Sequence, residues 1–294
     1  MTQRIGFVGI GQIGRPLVES MLRGGLVPTV FDVDQTAVQQ VVELGAKGAG
    51  SLADVAGASD IVGICVPADA HVKSVLDGPD GLFAHLSPGA VVAVHSTVLP
   101  ETIEWASASG VACGVTIVEA CLTGGPVAAA EGRTTFLLGG DPAALAAIDP
   151  ILNACGETLV YAGSLGNANL LKVCLNLQTY VTHLGIAEAI RLAKAFSLPV
   201  EGLKQAMRAN EQLGQMSEAF FGLHELPREV LDDANVVTMR RRSGAIVDKD
   251  LELMRLIADS RGVDVPARDV AASEFYRTYL LSAETDGGSA KSTK

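Results

Sequence analysis

The stretch Gly9-Ile10-Gly11-Gln12-Ile13-Gly14 follows directly on a strand-like run from Arg4 to Val8, and it decides the fold of the N-terminal half. A strand, three glycines in this spacing and the start of a helix form the dinucleotide-binding fingerprint of a βαβ unit. The first glycine permits the tight turn, the second leaves room for a pyrophosphate, and the third lets the helix pack closely on the sheet. The helix N-terminus then receives the phosphates. The residues predicted to bind the cofactor here are Gly9, Gly11, Gln12, Ile13 and Gly14.

Asp32 stands at the end of the second apolar run, Pro28 to Phe31. A carboxylate at this point accepts hydrogen bonds from the adenosine ribose 2′-hydroxyl. It repels a 2′-phosphate, and residues 33–36 offer no arginine to relieve that repulsion. The sequence therefore predicts NAD as the cofactor rather than NADP. The alternative is that Asp32 only caps the helix that starts near Asp34.

The composition is typical of a globular protein with a large core. The chain has 294 residues, 48% of them hydrophobic, which is enough for about two domains. Its formal net charge of −11 repels nucleic-acid phosphates and anionic membrane surfaces, so neither is an expected partner. No leader or membrane-spanning run is apparent, and we expect a cytoplasmic protein without a metal site. The five cysteines lack CxxC spacing and suit a reducing compartment: Cys65, Cys113, Cys121, Cys155 and Cys174.

Strand-like runs alternate with helical patterns in the first part of the chain, which predicts an α/β fold with a doubly wound parallel sheet. This Rossmann domain is expected over residues 1–163, with an all-α domain for substrate binding and dimerisation over 164–294. The second domain is predicted to begin with a long linking helix at 164–196 and to end in a flexible tail at 283–294. The strands are predicted at 5–8, 29–32, 61–66, 90–95, 115–119, 135–138 and 158–161.

A polar stripe follows one face of the otherwise apolar linking helix, at spacings of three and four residues: Asn169, Lys172, Asn176, Thr179 and His183. Leucines and valines occupy the neighbouring faces, so we expect the stripe to be buried against the first domain rather than solvated. Burial disfavours the ammonium form of Lys172 and moves its pKa toward the range useful for proton transfer. Lys172 is therefore a candidate general acid, and Asn176, one turn away, a candidate hydrogen-bond donor. His183 lies farther along the axis and is expected to be a hydrogen-bonded structural histidine.

With these residues in place, the sequence resembles the β-hydroxyacid dehydrogenase family, which includes 3-hydroxyisobutyrate dehydrogenases and tartronate semialdehyde reductases. Four separated motifs carry the resemblance. Residues 6–14 look like the family's cofactor loop and residues 119–125 like its substrate loop. Residues 166–176 look like its catalytic helix and residues 249–251 like its C-terminal motif.

The resemblance implies a role for each matching residue. Lys172 is the acid/base and Asn176 assists it, while Lys249 reaches cofactor and substrate. The substrate carboxylate is held by the hydroxyl and backbone N–H groups of Thr123, Gly124 and Gly125. The remaining cofactor contacts are Val66, Pro67, His71, Ser96 and Thr97. Pro67 has the alternative of ending a strand, and Ser96 and Thr97 that of capping the helix after Pro100.

The chain departs from the family pattern in its substrate loop, at Leu177, where a second asparagine is common, and at a run of arginines. Its substrate loop begins with Glu119 and carries Cys121 and Thr123, where the family has Asp-Ala-Pro and a serine. The run Arg240-Arg241-Arg242 stands where the family often places an aromatic residue. A guanidinium there, Arg242 in particular, would bind a second anionic group of the substrate. The alternative is a solvated basic turn on an acidic protein.

The sequence as a whole predicts an NAD-dependent oxidoreductase that interconverts a small 3-hydroxy acid and its semialdehyde or keto acid, with Lys172 as general acid/base. The resemblance also implies a homodimer or homotetramer. One rival is an imine reductase of the same two-domain plan, which generally has another residue in place of the lysine. The other is a non-catalytic NAD-binding scaffold, in which loss of the lysine is expected.

Overall fold

A computed structural model describes residues 3–280, with side chains as far as Phe275. The tail predicted at 283–294 lies outside the described residues. The chain divides into two compact units, the first ending at Lys172 and the second beginning at Val173. The division falls inside one long helix, so the first turns of that helix belong to the first unit and the remainder to the second.

The first unit is built on an eight-stranded sheet in the order β3-β2-β1-β4-β5-β6-β7-β8. Hydrophobic runs form most of its strands, because a sheet covered on both faces buries both sides of each strand. The predicted Rossmann architecture is confirmed. The strands are β1 Ile5–Val8, β2 Thr29–Phe31, β3 Lys47–Gly48, β4 Ile61–Ile64, β5 Val91–Val94, β6 Thr116–Thr123, β7 Thr134–Gly139 and β8 Gly156–Gly163.

The prediction of a parallel sheet is wrong for one pair of strands, because β6 and β7 run antiparallel, with Glu119 opposite Gly139 and Thr123 opposite Thr135. The connection between them holds only the short helix Gly125–Ala130. A right-handed crossover needs about a dozen residues or more, so the shorter connection turns the chain back on itself. The two-residue strand β3 was not predicted, because it is exposed and has no apolar pattern.

Helices cover both faces of this sheet, and two separate apolar clusters lie beneath them. One cluster contains Leu17 and Met21 of the first helix, and the other contains Ile103 and Ala106 of the fifth. The helices of the first unit are α1 Gly14–Arg23, α2 Gln35–Val42, α3 Leu52–Gly57, α4 Asp69–Leu76, α5 Pro100–Ala112, α6 Gly125–Ala130, α7 Pro142–Ala147 and α8 Asp149–Cys155.

The long helix predicted from the absence of proline and strand patterns is α9, Asn167–Ala195, with 29 residues. Its length of ~44 Å follows from a rise of about 1.5 Å per residue. The second unit is helical throughout its described part, with Phe275 and Phe221 buried in separate apolar clusters. Its further helices are α10 Val200–Ala209, α11 Gln215–Leu223, α12 Arg228–Leu231, α13 Ala234–Arg261 and α14 Pro266–Leu280. Within residues 3–280, every helix is too short or too polar to cross a membrane.

Candidate active site

The glycine loop has the shape that a dinucleotide requires. Gly9 has φ +97°, and a Cβ there would collide with the carbonyl of Cys65, while a Cβ at Gly14 would collide with the carbonyl of Gly9. Both glycines are therefore required by the strand-to-helix turn itself. Gly11 is different, because a Cβ on it would meet no protein atom within 4 Å. The space in front of Gly11 is not filled by the protein, which is what its predicted role beside a pyrophosphate requires.

This contrast predicts that Gly11→Ala leaves the melting temperature nearly unchanged and weakens NAD binding by about tenfold, or ~1.4 kcal/mol. The added methyl group occupies space that belongs to the ligand and touches no part of the fold. The matched control is Gly57→Ala, another glycine whose Cβ would stand in open space, at the end of α3. Isothermal titration with NAD measures both variants. Unchanged affinity in Gly11→Ala would place the pyrophosphate elsewhere.

Asp32 follows β2, and its carboxylate accepts hydrogen bonds from two backbone N–H groups. Its Oδ2 accepts from the N–H of Ile10 at 2.6 Å, and its Oδ1 accepts from the N–H of Asp34 at 2.8 Å. The alternative that Asp32 caps the next helix is wrong, because the N-cap of α2 is Asp34, whose side chain accepts from the N–H of Thr36. A carboxylate offers about four acceptor positions, so two remain for ribose hydroxyls.

The segments after β4 and β5 are joined to each other. Val66 donates its N–H to Oγ of the buried Ser96 at 2.9 Å. The alternative capping role of Ser96 and Thr97 is wrong, because α5 starts at Pro100 and Asp69 Oδ1 accepts both the Leu99 N–H and the Thr102 hydroxyl. Ligands of open α/β sheets bind at the carboxyl ends of the strands, where these segments lie.

Pro67 and His71 lie beside those segments, both exposed. Strand β4 already ends at Ile64, before Pro67. His71 lies in the first turn of α4. Their roles toward the cofactor stay predictions.

The predicted substrate loop lies at the end of β6. Thr123 is the last residue of the strand, and Gly124 and Gly125 follow with φ +113° and +72°. Two successive residues in the left-handed region require glycine. All three residues are partly exposed, while Cys121 is fully buried. The loop is therefore a fixed turn in which the three residues predicted to bind the carboxylate keep part of their surface accessible.

The polar stripe on α9 is largely buried, but the prediction that the first domain covers it is wrong for two of its members, because Asn176 contacts Asp250 and His183 contacts Phe220 within the second unit. Asn169, Asn176 and His183 are buried, whereas Lys172 and Thr179 are partly exposed. Thr179 donates its hydroxyl to the carbonyl of Leu175 in the preceding turn.

Asp250 brings two of the predicted site residues together within the second unit. Its Oδ2 accepts from Asn176 Nδ2 at 2.8 Å and from the Tyr180 hydroxyl at 2.7 Å. Its Oδ1 lies 3.0 Å from Lys249 Nζ. The Asp250 carboxylate is 3% exposed, so its two hydrogen bonds through Oδ2 are made away from bulk water, whereas the Lys249 side chain of the ion pair is 23% exposed. The sequence assigned no role to Asp250 or Tyr180, although Asp250 lies inside the quoted motif at 249–251.

His183 is a core residue. Its ring stacks on that of Phe220, with centroids 4.2 Å apart and an interplanar angle of 2°. Burial lowers the pKa of His183 to about 4. The side chain therefore stays neutral at physiological pH and packs as an aromatic ring. The structural role expected for it rests on this stacking and not on the predicted hydrogen bonds, because both ring nitrogens are buried without a hydrogen-bond partner among the described residues.

The lowered pKa predicts a pH dependence of stability. Between pH ~6.5 and pH ~4 the unfolded chain binds a proton at His183 that the folded chain does not, so the free energy of unfolding falls as the pH falls through this range. His183→Phe keeps the stack and should reduce that slope by up to about 1.4 kcal/mol per pH unit. Chemical denaturation at several pH values measures it. Leu17→Ala is the control, since Leu17 is buried in an apolar cluster of the first unit and its loss destabilises the fold at every pH. An unaltered slope in His183→Phe would refute the assignment.

The arginine run lies in a helix, so the alternative of a basic turn is wrong in its geometry, while the solvation that it expected holds for Arg241 and Arg242. All three arginines lie within α13, Ala234–Arg261. Arg240 is buried and donates to the carbonyl of Leu231 at 3.1 Å, which makes it part of the fold. Arg241 and Arg242 are exposed. Arg242 lies two helical turns before Lys249, and these two residues share one side of α13.

Comparison with known proteins agrees with this geometry. Residues 4–163 match the family described as the NAD binding domain of 6-phosphogluconate dehydrogenase. The chain is 35% identical to the NAD-dependent L-serine dehydrogenase of Pseudomonas aeruginosa, covering 95% of this chain and 92% of that one. It is 32% identical to the 3-hydroxyisobutyrate dehydrogenase of the same organism, over 69% and 68% of the two chains. The crystal structure of the Salmonella typhimurium 3-hydroxyisobutyrate dehydrogenase superposes with a TM-score of 0.79 at 26% identity, covering 97% and 95%.

The Rossmann sheet, the glycine loop and the matched domain define an NAD-binding oxidoreductase. Within that class, the similarity over nearly the whole chain shows that the protein belongs to the β-hydroxyacid dehydrogenase family.

Proposed function

We propose that this protein is an NAD-dependent dehydrogenase that interconverts a small 3-hydroxy acid and its semialdehyde or keto acid. The observation that supports the proposal most directly is the contact of Asp250 with both Asn176 and Lys249. These two residues are more than seventy positions apart in the chain, and both were assigned to the site from separate motifs. Because one buried carboxylate contacts both residues, we expect Asn176 and Lys249 to act in the same site.

The chemical step assigns a separate task to each residue. NAD, when bound, supplies the hydride acceptor. Lys172, as the neutral amine, takes the hydroxyl proton during oxidation and returns it to the carbonyl oxygen during reduction. Asn176 donates an amide hydrogen bond to the same oxygen, where negative charge develops. Lys249 contributes a cation to cofactor and substrate, and Asp250 fixes its ammonium group.

The substrate carboxylate is assigned to the turn at the end of β6. Thr123 contributes a hydroxyl, and Gly124 and Gly125 contribute backbone N–H groups that no side chain shields. An anion needs several such donors when it leaves water. This assignment restricts the substrates to acids and predicts a preference for them over neutral alcohols.

The proposal is tested by the absorbance of reduced nicotinamide with a panel of acids. L-Serine and 3-hydroxyisobutyrate come first, because relatives carry those names. Turnover with at least one 3-hydroxy acid, and none with the matching alcohol that lacks the carboxylate, is the expected result. Tight NAD binding without turnover on any acid would favour the scaffold, and turnover of cyclic imines alone would favour an imine reductase.

We propose that Arg242 binds a second anionic group of the substrate, away from the carboxylate held by the turn after β6. Its exposed guanidinium lies on the same side of α13 as Lys249, where it would pair with a second anionic group. The KM of a dicarboxylic 3-hydroxy acid should then rise about tenfold in Arg242→Ala, while that of a monocarboxylic acid stays constant. Arg241→Ala is the control. An unchanged KM for every acid would remove Arg242 from the site.

A homodimer or homotetramer is proposed for the assembly, and light scattering of the purified protein tests it. A monomer at micromolar concentration would contradict this part of the proposal alone.

A further inference from the structure

We propose that Glu119 is a positioning residue that fixes the first turn of α9, and with it Lys172, to the end of β6. The inference rests on the proposed function for the importance of Lys172, but the tether itself is a property of the first unit. Glu119 has no exposed surface, so its carboxylate can bind only groups inside the protein.

The carboxylate accepts three hydrogen bonds from the start of α9. Oε2 accepts from the N–H of Gly166 at 2.5 Å, and Oε1 accepts from the N–H of Asn169 at 3.0 Å and from Asn169 Nδ2 at 2.7 Å. The first N–H groups of a helix have no partner within the helix, and its N-terminus favours negative charge. Glu119 supplies both the acceptor and the charge from a strand that lies some fifty residues earlier in the chain.

Asn169 extends the connection to a third segment. Its Oδ1 accepts a hydrogen bond from the N–H of Val98 at 2.8 Å, while its Nδ2 donates to Glu119. The side-chain amide of Asn169 therefore bridges Glu119 and Val98. Val98 follows Ser96 and Thr97, and Ser96 Oγ in turn accepts the N–H of Val66. The network therefore joins the start of α9 to the segment at Ser96 and Thr97, which is predicted to lie beside the nicotinamide, and through it to Val66, which is predicted to lie on the adenine side of the cofactor.

The packing around the carboxylate leaves it little freedom. A Cβ on Gly139, opposite Glu119 across the β6–β7 pair, would collide with Oε2. The same Cβ would also stand 3.2 Å from that of Ala168. Gly139 thus provides the space in which the longer glutamate side chain reaches α9.

Lys172 follows Asn169 by three residues, which places it one turn farther on the same side of α9. A tether at Gly166 and Asn169 therefore determines where the backbone of Lys172 stands relative to the end of β6. Proton transfer depends on the distance between the amine and the reacting oxygen, so a small displacement of this turn affects the chemical step more than substrate binding.

Glu119→Gln tests the tether, because it keeps the shape of the side chain and replaces one acceptor oxygen by a donor. Glu101→Gln, the same change at an exposed glutamate in α5, is the matched control. In Glu119→Gln we expect hydrogen exchange of the amides at 166–172 to accelerate at least tenfold, and kcat to fall ten- to a hundredfold with the KM of the acid changed less than threefold. Glu101→Gln should leave all three unchanged.

Unchanged exchange at 166–172 would overturn the tether, and unchanged kcat with accelerated exchange would overturn the positioning role. Should Glu119→Gln fail to fold, Asn169→Ala is the second variant, since it keeps both backbone N–H bonds and removes only the amide bridge. Asn169→Ala should likewise lower kcat ten- to a hundredfold and change the KM of the acid less than threefold. Exchange needs no substrate, so a wild-type protein that turns over no 3-hydroxy acid would refute the proposed function while the exchange rates still decide whether Glu119 holds α9.

Discussion

Replacing Lys172 by alanine is expected to lower kcat/KM for the best 3-hydroxy acid by about 10²- to 10⁴-fold, the usual contribution of a positioned general acid or base. The loss arises because no other group is assigned to take the hydroxyl proton. NAD affinity should stay within about threefold, since the glycine loop and Asp32 are untouched. Steady-state kinetics and isothermal titration measure the two effects separately.

The control for this variant is Lys194→Ala, because Lys194 lies on the same helix and is exposed. It should retain the wild-type rate and melting temperature. A small primary amine in the buffer should restore part of the activity of Lys172→Ala, because it supplies the missing proton acceptor. If Lys172→Ala keeps its rate within tenfold of the wild type, the acid/base assignment is wrong.

Replacing Asp32 by asparagine is expected to weaken NAD binding by about 10- to 100-fold, which corresponds to the 1.5–3 kcal/mol of a hydrogen bond to a charged group. NADP binding should weaken less or improve, because the repulsion between the carboxylate and a 2′-phosphate is removed. The ratio of the two dissociation constants therefore moves toward unity. Fluorescence titration with each cofactor measures it.

Asp34→Asn is the matched control, because Asp34 caps α2 two residues away and asparagine is an equally good cap. It should leave the preference for NAD unchanged. Equal affinity of the wild-type protein for NAD and NADP would show that Asp32 does not select the cofactor. Such a result would leave the catalytic assignment of Lys172 intact.

The sequence predicted the sheet well where apolar runs are long enough to be buried on both faces, as in β1, β4 and β5. It did not predict the direction of strand β7 or the presence of strand β3, because the local sequence pattern carries no information on either. The antiparallel pairing of β6 and β7 follows from the length of a connection, and β3 is too short and exposed for any pattern.

In the candidate site, too, some features were predictable from the sequence and others were not. Periodicity on α9 was sufficient to find the stripe, because helical spacing places these residues on one face whatever surrounds them. The partners of the stripe were not predictable, because Glu119 and Asp250 reach Asn169 and Asn176 from far away in the chain. Long-range hydrogen bonds of this kind leave no periodic signal in one sequence.

Deuterium transfer tests the central claim most directly. The protein is incubated with NAD and with L-serine or 3-hydroxyisobutyrate that carries deuterium on the hydroxyl-bearing carbon, and the cofactor is analysed by mass spectrometry. We predict that the reduced nicotinamide contains deuterium from the substrate and that Lys172→Ala abolishes this labelling on the same time scale. Unlabelled cofactor and unchanged substrate for every 3-hydroxy acid, with NAD bound, would contradict the account.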